Sequence, residues 1–223
     1  MIAAGGARTH VLLTGFGSFP RVPVNATMRL VPMLAEAAPH AFPGVVFSTL
    51  LLATEWETAP ARARAALEKA APDLVLHFGV SSRARGFEIE TQARNACQGE
   101  RDAAVRYPAS PKLDPEADAE AVLRATLPVH HIVRRLRARR IPAFASRDDG
   151  GYLCNTVLWR SLEAVRGQDM PPRVGFIHIP ACLGAGGVTS QLRRGACPLS
   201  WAQALDGGLE IIAASLGRAP VRS

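Results

Sequence analysis

The sequence predicts an α/β fold: a mixed, largely parallel open sheet with helices on both faces, a three-layer α/β/α arrangement in a single domain over residues 1–223. Three observations carry this. Short β-branched or apolar runs bounded by glycine and proline alternate with longer segments of helical composition. Those runs are apolar throughout, as strands covered on both faces are. A hydrophobic content of 48% over 223 residues, with no compositional shift along the chain, is enough for one sizeable core.

The first strand is "THVLLTGF" (9–16), and its loop "TGFGSFP" leads to a helix over "NATMRLVPMLAEAA" (25–38), which Pro32 should end or kink. "GVVFSTLLLAT" (44–54) is the second strand. "TAPARARAALEKAA" (58–71) is the second helix, with Thr58 and Pro60 suited to its start. "PDLVLHFG" (72–79) is the third strand. Residues 81–115, rich in glycine, proline and charge, read as a long loop or hairpin excursion. "EADAEAVLRATLPVHHIVRRLRARR" (116–140) has helical composition, "IPAFAS" (141–146) is a strand, and "CNTVLWRSLEAVR" (154–166) is a helix. "RVGFIHIP" (173–180) is the last strand and "SWAQALDGGLEIIAASLG" (200–217) the last helix.

The net charge of +7 suits a polyanion partner only if it is concentrated. Lys69 and Lys112 are the only lysines, so arginine supplies 24 of 26 basic residues, spread along the chain. The densest cluster, "HHIVRRLRARR" (130–140), places Ile132, Val133 and Leu136 at helical spacing and has no interleaved aromatics, which describes a solvated helix face rather than a nucleic-acid site. No run reaches the length of a membrane span, and the opening residues lack a signal-peptide pattern. The expectation is a cytoplasmic protein with no membrane or nucleic-acid partner. Cys97, Cys154, Cys182 and Cys197 form no C-x-x-C pair and read as reduced thiols, all but Cys154 as packing residues. The histidines show no metal-ligand spacing, so neither a metal nor a cofactor is expected.

The chemistry concentrates at Cys154, where the glycine-rich turn "DDGGYL" gives way to a helix whose positive end favours a thiolate. If 141–146, the helix and 173–180 form a parallel strand–helix–strand unit, Cys154 and His178 meet at the carboxyl edge of the sheet. The loops after the first and third strands open onto that edge, where ligands of open α/β sheets bind. A Cys–His pair needs a third group to orient the imidazole, and Glu90, Glu88 and Asn95 are the candidates. Asp148 and Asp149 read as turn or cap residues; either would oppose a thiolate if it faced Cys154. Phe16 and Phe19 stand in a loop at the ligand edge and suit the wall of a pocket for a flat neutral ring. "LGAGG" (183–187) lacks the lysine and hydroxyl of a phosphate loop and reads as a flexible loop.

These residues resemble a known family, the pyroglutamyl peptidases, cysteine exopeptidases of the cytoplasm. "VLLTGFGSFPRVPVN" is similar to that family's first strand and "TGF-x-x-F" loop with a downstream asparagine, here Asn25. "FEIETQARN" resembles the "E-R-x-A-x-N" segment of the catalytic glutamate, which falls on Glu90. "GGYLCN" places the nucleophile on Cys154, and "GFIHIP" places the catalytic histidine on His178. The resemblance implies removal of an N-terminal pyroglutamyl group through a Cys–His–Glu triad and an acyl-enzyme, on a peptide substrate with a blocked N-terminus, by a homo-oligomer. Substrate contacts are expected from Phe16, Phe19, Gly79, Val80 and Tyr152. The family turn "GQAGGR" is Gly79-Val80-Ser81-Ser82-Arg83 here, without the pocket glutamine. Two other functions remain open on these residues: a thiol amidohydrolase acting on another small or N-blocked amide, and a non-catalytic small-molecule binding protein on the same scaffold.

Overall fold

A computed structural model describes residues 8–19, 22–147, 150–185 and 197–221. The alternation of strand and helix expected from the sequence is present. β1 (His10–Phe16), β2 (Val46–Leu52), β3 (Leu74–Ser81) and β8 (Arg173–Pro180) run parallel, in the order β2-β1-β3-β8. The sheet continues into β4 (Phe87–Glu90), antiparallel to β8, and ends at β7 (Ala143–Ser146), parallel to β4. Four of its five strand pairings are parallel, which makes the sheet mixed and largely parallel as expected. Successive strand residues point to opposite faces, and both faces are covered. Leu13, Leu76 and Ile177 pack under α1 (Thr27–Ala41), α3 (Val129–Ala138) and α5 (Trp201–Leu216). Leu12, Val75 and Val174 pack under α2 (Thr58–Ala70) and α4 (Leu153–Val165).

Five expectations are corrected. The segment 116–128 is not helical: Val122–Arg124 (β6) pairs antiparallel with Gln92–Arg94 (β5), and α3 begins only after Pro128. Proline disfavours helical backbone at the residue before it, and Thr126 is bonded onto β8 instead, its hydroxyl accepting from the Val174 N–H at 2.7 Å. The excursion 81–115 contains β4, a full member of the sheet. Its acids Glu88 and Glu90 alternate with buried Phe87 and Ile89, which hides the strand in composition. Of the two outcomes expected at Pro32, ending or kinking the helix, the first does not occur: α1 carries both Pro32 and Pro39. Both prolines face solvent, where water can satisfy the carbonyls they free, while Leu30, Val31, Leu34 and Ala38 anchor the buried face. β7 runs antiparallel to β8 with β4 between them, so the expected parallel unit joining Cys154 to His178 does not exist. Finally, Cys182 and Cys197 are joined as a disulfide rather than reduced, their Cα atoms 5.2 Å apart. Their separation of 15 matches no short motif, and the pairing depends on a spatial approach that spacing does not encode.

Asp148 and Asp149 lie outside the described residues, as do residues 186 and 187 of the glycine turn. Among the described residues, no helix is long and apolar enough to cross a membrane.

Candidate active site

Cys154 is the second residue of α4, in the helix turn whose exposed N–H groups favour negative charge. The adjacent Asn155 is fully buried and ties that turn down. Its Oδ1 accepts from the Arg94 N–H at 2.8 Å, and its Nδ2 donates to the carbonyls of Arg94 and Ala96 at 2.9 and 2.8 Å. Arg94 closes β5, four residues beyond Glu90, so the helix that carries Cys154 is fixed to the stretch that carries Glu90.

One register row crosses four strands: Phe144 of β7, Glu88 of β4, His178 of β8 and Gly79 of β3. A Cβ at Gly79 would lie 2.7 Å from Phe176 Cζ and 3.1 Å from Cys154 Sγ. The missing side chain is what lets the sulfur settle over β3 beside His178.

His178 Nδ1 and Glu90 Oε1 are 2.9 Å apart, with His178 5% and Glu90 0% exposed. An ionised carboxylate only accepts, so Nδ1 carries the proton and Nε2 is left for Cys154, with which the imidazole also hydrogen-bonds. Burial is the largest influence on this imidazole and pulls its pKa down. It is outweighed by the charge of the Cys154 thiolate and the hydrogen bond to it, joined by the bond to Glu90 and that group's charge. Together they push His178 from 6.5 up to about 10. At neutral pH His178 is therefore held as an imidazolium between Glu90 and Cys154. Glu90 Oε2 has no hydrogen-bond partner among the described residues, which sharpens the demand of this carboxylate for the positive charge beside it.

Of the three candidates for orienting the imidazole, the geometry brings Glu90 to Nδ1. Asn95 is spent elsewhere: its Oδ1 accepts from the Asp114 N–H at 2.7 Å and its Nδ2 donates to the Asp114 and Asp118 carbonyls. Glu88 lies beside the pair, with one ligand atom each of Glu88, Glu90 and His178 within 4.8 Å of one another. Burial pushes the Glu88 carboxyl up, with the positive charge of His178 opposing and the charge of Glu90 adding to the shift.

Two cavities meet at the sulfur. The smaller, about 30 Å³, is lined by Phe16, Phe19, Gly79, Val80 and Tyr152, every residue expected to contact substrate, together with Cys154. The larger, about 1000 Å³, is an open cleft holding Glu88, His178, Arg83 and Phe144. Phe19, Val80, Tyr152 and Cys154 line both, so Cys154 stands at the junction. Trp56 backs this wall edge-on to Tyr152, ring centroids 5.1 Å apart. Sequence reasoning missed Phe144, whose 44% exposure on a strand is the one signal that marks it, and Asp102, buried in a loop that carries no motif.

A family model described as pyroglutamyl peptidase matches residues 9–214. The chain is 35% identical over 176 residues to the pyrrolidone-carboxylate peptidase of Gloeobacter violaceus, covering 77% of this chain and 81% of that protein. It is 31% identical over 180 residues to the enzyme of the same name from Pyrococcus furiosus, covering 76% and 80%. Its fold matches the crystal structure of the Pyrococcus furiosus pyrrolidone carboxyl peptidase with a TM-score of 0.79 at 27% identity, over 94% of this chain and 99% of that one. The Bacillus amyloliquefaciens pyroglutamyl peptidase I shares the fold with a TM-score of 0.80 at 23% identity, over 94% of this chain and 98% of that one.

Proposed function

The chain belongs to the pyroglutamyl peptidase family, and on that premise we propose that it is a cysteine exopeptidase that removes an N-terminal pyroglutamyl group from peptides, with Cys154, His178 and Glu90 as its triad. The observation that carries the site assignment is the buried imidazole of His178 held between Glu90 and Cys154 at the junction of two cavities.

The thiolate of Cys154 attacks the carbonyl carbon that joins the ring to the next residue, forming a C–S bond as the oxygen takes the negative charge. Backbone N–H groups at the start of α4 and in the 79–83 turn receive that oxyanion. Collapse of the adduct breaks the C–N bond while His178 gives its Nε2 proton to the departing amine. His178 then takes a proton from water, which attacks the thioester; the C–S bond breaks, pyroglutamate leaves, and the imidazolium–thiolate pair is restored. Glu90 holds Nδ1–H throughout. The ring lies where the small cavity opens into the cleft, against Phe16, Phe19 and Val80, walls that suit a flat neutral group better than a charged amine.

A pyroglutamyl-linked fluorogenic substrate tests this reading, with acetyl- and prolyl-blocked substrates beside it. The expected result is turnover of the pyroglutamyl substrate, abolished in Cys154→Ala and Cys154→Ser with the fold intact, and rapid alkylation of Cys154 by iodoacetamide near neutral pH. Full activity in either variant overturns the nucleophile assignment. Val80, where the family turn carries a glutamine, makes the ring cavity more apolar and favours a second reading, an amidohydrolase for another small blocked amide. Preferential turnover of the acetyl substrate would select it. A slow, unreactive Cys154 with no turnover would select a non-catalytic binding protein. A cytoplasmic location and a homo-oligomeric state go with membership of the family and form part of the same proposal.

A further inference from the structure

Glu88 takes no part in the reaction derived above, yet it stands next to His178 in the register row and faces the cleft. It lines the large cleft and not the small ring cavity. With the reactive sulfur at the junction, the acyl ring lies on the small side and the released peptide on the large side, so Glu88 belongs to the leaving group's half of the site. We propose that Glu88 is a specificity-determining residue that selects peptides whose released first residue is basic, lysine or arginine, an inference that rests on the pyroglutamyl peptidase reading.

Three features of the cleft carry it. Glu90 is fully buried and bonded to His178, whereas no described residue hydrogen-bonds the Glu88 carboxylate, so its oxygens are available to a ligand. Phe144 follows Glu88 in the row with 44% of its surface exposed; the Arg137 guanidinium lies over its ring, 5.4 Å from the centroid, and the exposed remainder is an apolar shelf on which the methylenes of a basic side chain can lie while its charge reaches the carboxylate. The positive charge of His178 is already shared with Glu90, and the other described cations of the cleft act weakly on Glu88. Arg83 and Arg101 line the same cleft but are exposed and screened, while Glu88 is half-buried, where a charge acts more strongly. Asp102 is spent on the N–H groups of Trp56 and Arg106 at 3.0 and 2.8 Å, and Glu100 adds charge of the same sign as Glu88.

Selectivity should also rise with pH as Glu88 ionises. Among the described residues, the charged groups around it are Glu90 on its own strand, His178 on β8, Cys154 on α4, Arg137 of α3 over the Phe144 ring, and Arg83, Glu100, Arg101 and Asp102 lining the cleft; β7 contributes the uncharged Phe144, Ala145 and Ser146.

The test compares kcat/KM for pyroglutamyl-lysyl and pyroglutamyl-glutamyl peptides of equal length. The ratio cancels any general loss of activity. The expected preference for lysine is about tenfold or more in the native protein and falls to about threefold or less in Glu88→Gln. An equal ratio in the two proteins, or a native preference for glutamate, overturns the proposal. Because Glu88→Gln can fail to fold, the native ratio is also measured from pH 4.5, the ordinary carboxyl value, upward, and it should climb as Glu88 ionises; a flat profile overturns the proposal. If the native protein cleaves no pyroglutamyl peptide, the functional reading fails, and acetyl-lysyl and acetyl-glutamyl peptides decide the role of Glu88 by the same ratio. No turnover on either pair overturns both.

Discussion

Gly79 and Asn155 show how single residues place Cys154. Gly79 is where Phe176 and Cys154 approach β3 most closely, so Gly79→Ala should push the sulfur away from His178. The expected outcome is at least a tenfold loss of kcat/KM with a lowered melting temperature, the cost of an overpacked contact being about 1–3 kcal/mol. An unchanged alkylation rate at Cys154 would contradict it. Asn155 satisfies three backbone groups at once, and Asn155→Ala leaves buried groups unpaired at about 1–3 kcal/mol each. Urea denaturation should therefore show a clear loss of stability, accompanied by slower alkylation of Cys154 because the first turn of α4 loses its anchor. Cys154, His178 and Glu90 were each legible from the resemblance of their local motifs. The choice of Glu90 over Glu88 and Asn95 as the partner of His178 was not legible from the residues alone, because it depends on which side chain reaches Nδ1 across the sheet.

At the scale of elements, α1 and α5 both break local propensity rules, for opposite reasons. Pro32 sits inside α1 on its solvent face, so the helix survives with a missing hydrogen bond. Pro32→Ala restores an N–H to that ladder and should raise the urea midpoint, a gain of about 1 kcal/mol or more, since interior proline costs a helix up to about 3 kcal/mol. α5 carries Gly207 and Gly208 in its buried face, and a Cβ on Gly207 would lie 2.3 Å from the Phe87 ring. Gly207→Ala therefore destabilises the protein despite the better helix propensity of alanine, by about 1–3 kcal/mol, and thermal unfolding should show it. Gly207 lets α5 lie close against β4, the strand that carries Glu88 and Glu90, and Gly208 lets it lie close against Leu34 of α1. Strands buried on both faces were legible as continuous apolar runs. β4 was not, because alternating acids give it the composition of a loop.

Across the whole molecule, two buried histidines on one face of the sheet bound the pH range of stability from opposite sides. His77 lies on β3 with its ring bonded to Thr14 at 2.7 Å and Ser161 at 3.0 Å, and burial lowers it from 6.5 to about 3. The unfolded chain takes up a proton there below pH 6.5 and the folded chain does not, so stability falls as pH drops from 6.5 toward 3. His178 is raised, so its contribution is fully present below pH 6.5 and is lost as pH rises through about 10. Melting temperatures should peak near neutral to slightly acidic pH. His178→Gln should flatten the alkaline side and His77→Asn the acid side; a variant that left its limb unchanged would contradict the assignment.

The sequence by itself determined the fold class and the order of most elements and singled out Cys154 and His178 as candidates, because apolar period and turn chemistry are local properties of the chain. Only the tertiary structure decided how Cys154 meets His178. It does so through a sulfur resting over Gly79 and an asparagine tied to β5, with β7 running opposite to the direction expected. Strand direction, the approach of Cys182 to Cys197 and the placing of Glu88 in the larger cleft are relations between distant segments. Packing and register settle these, and residues neighbouring in sequence carry no record of them.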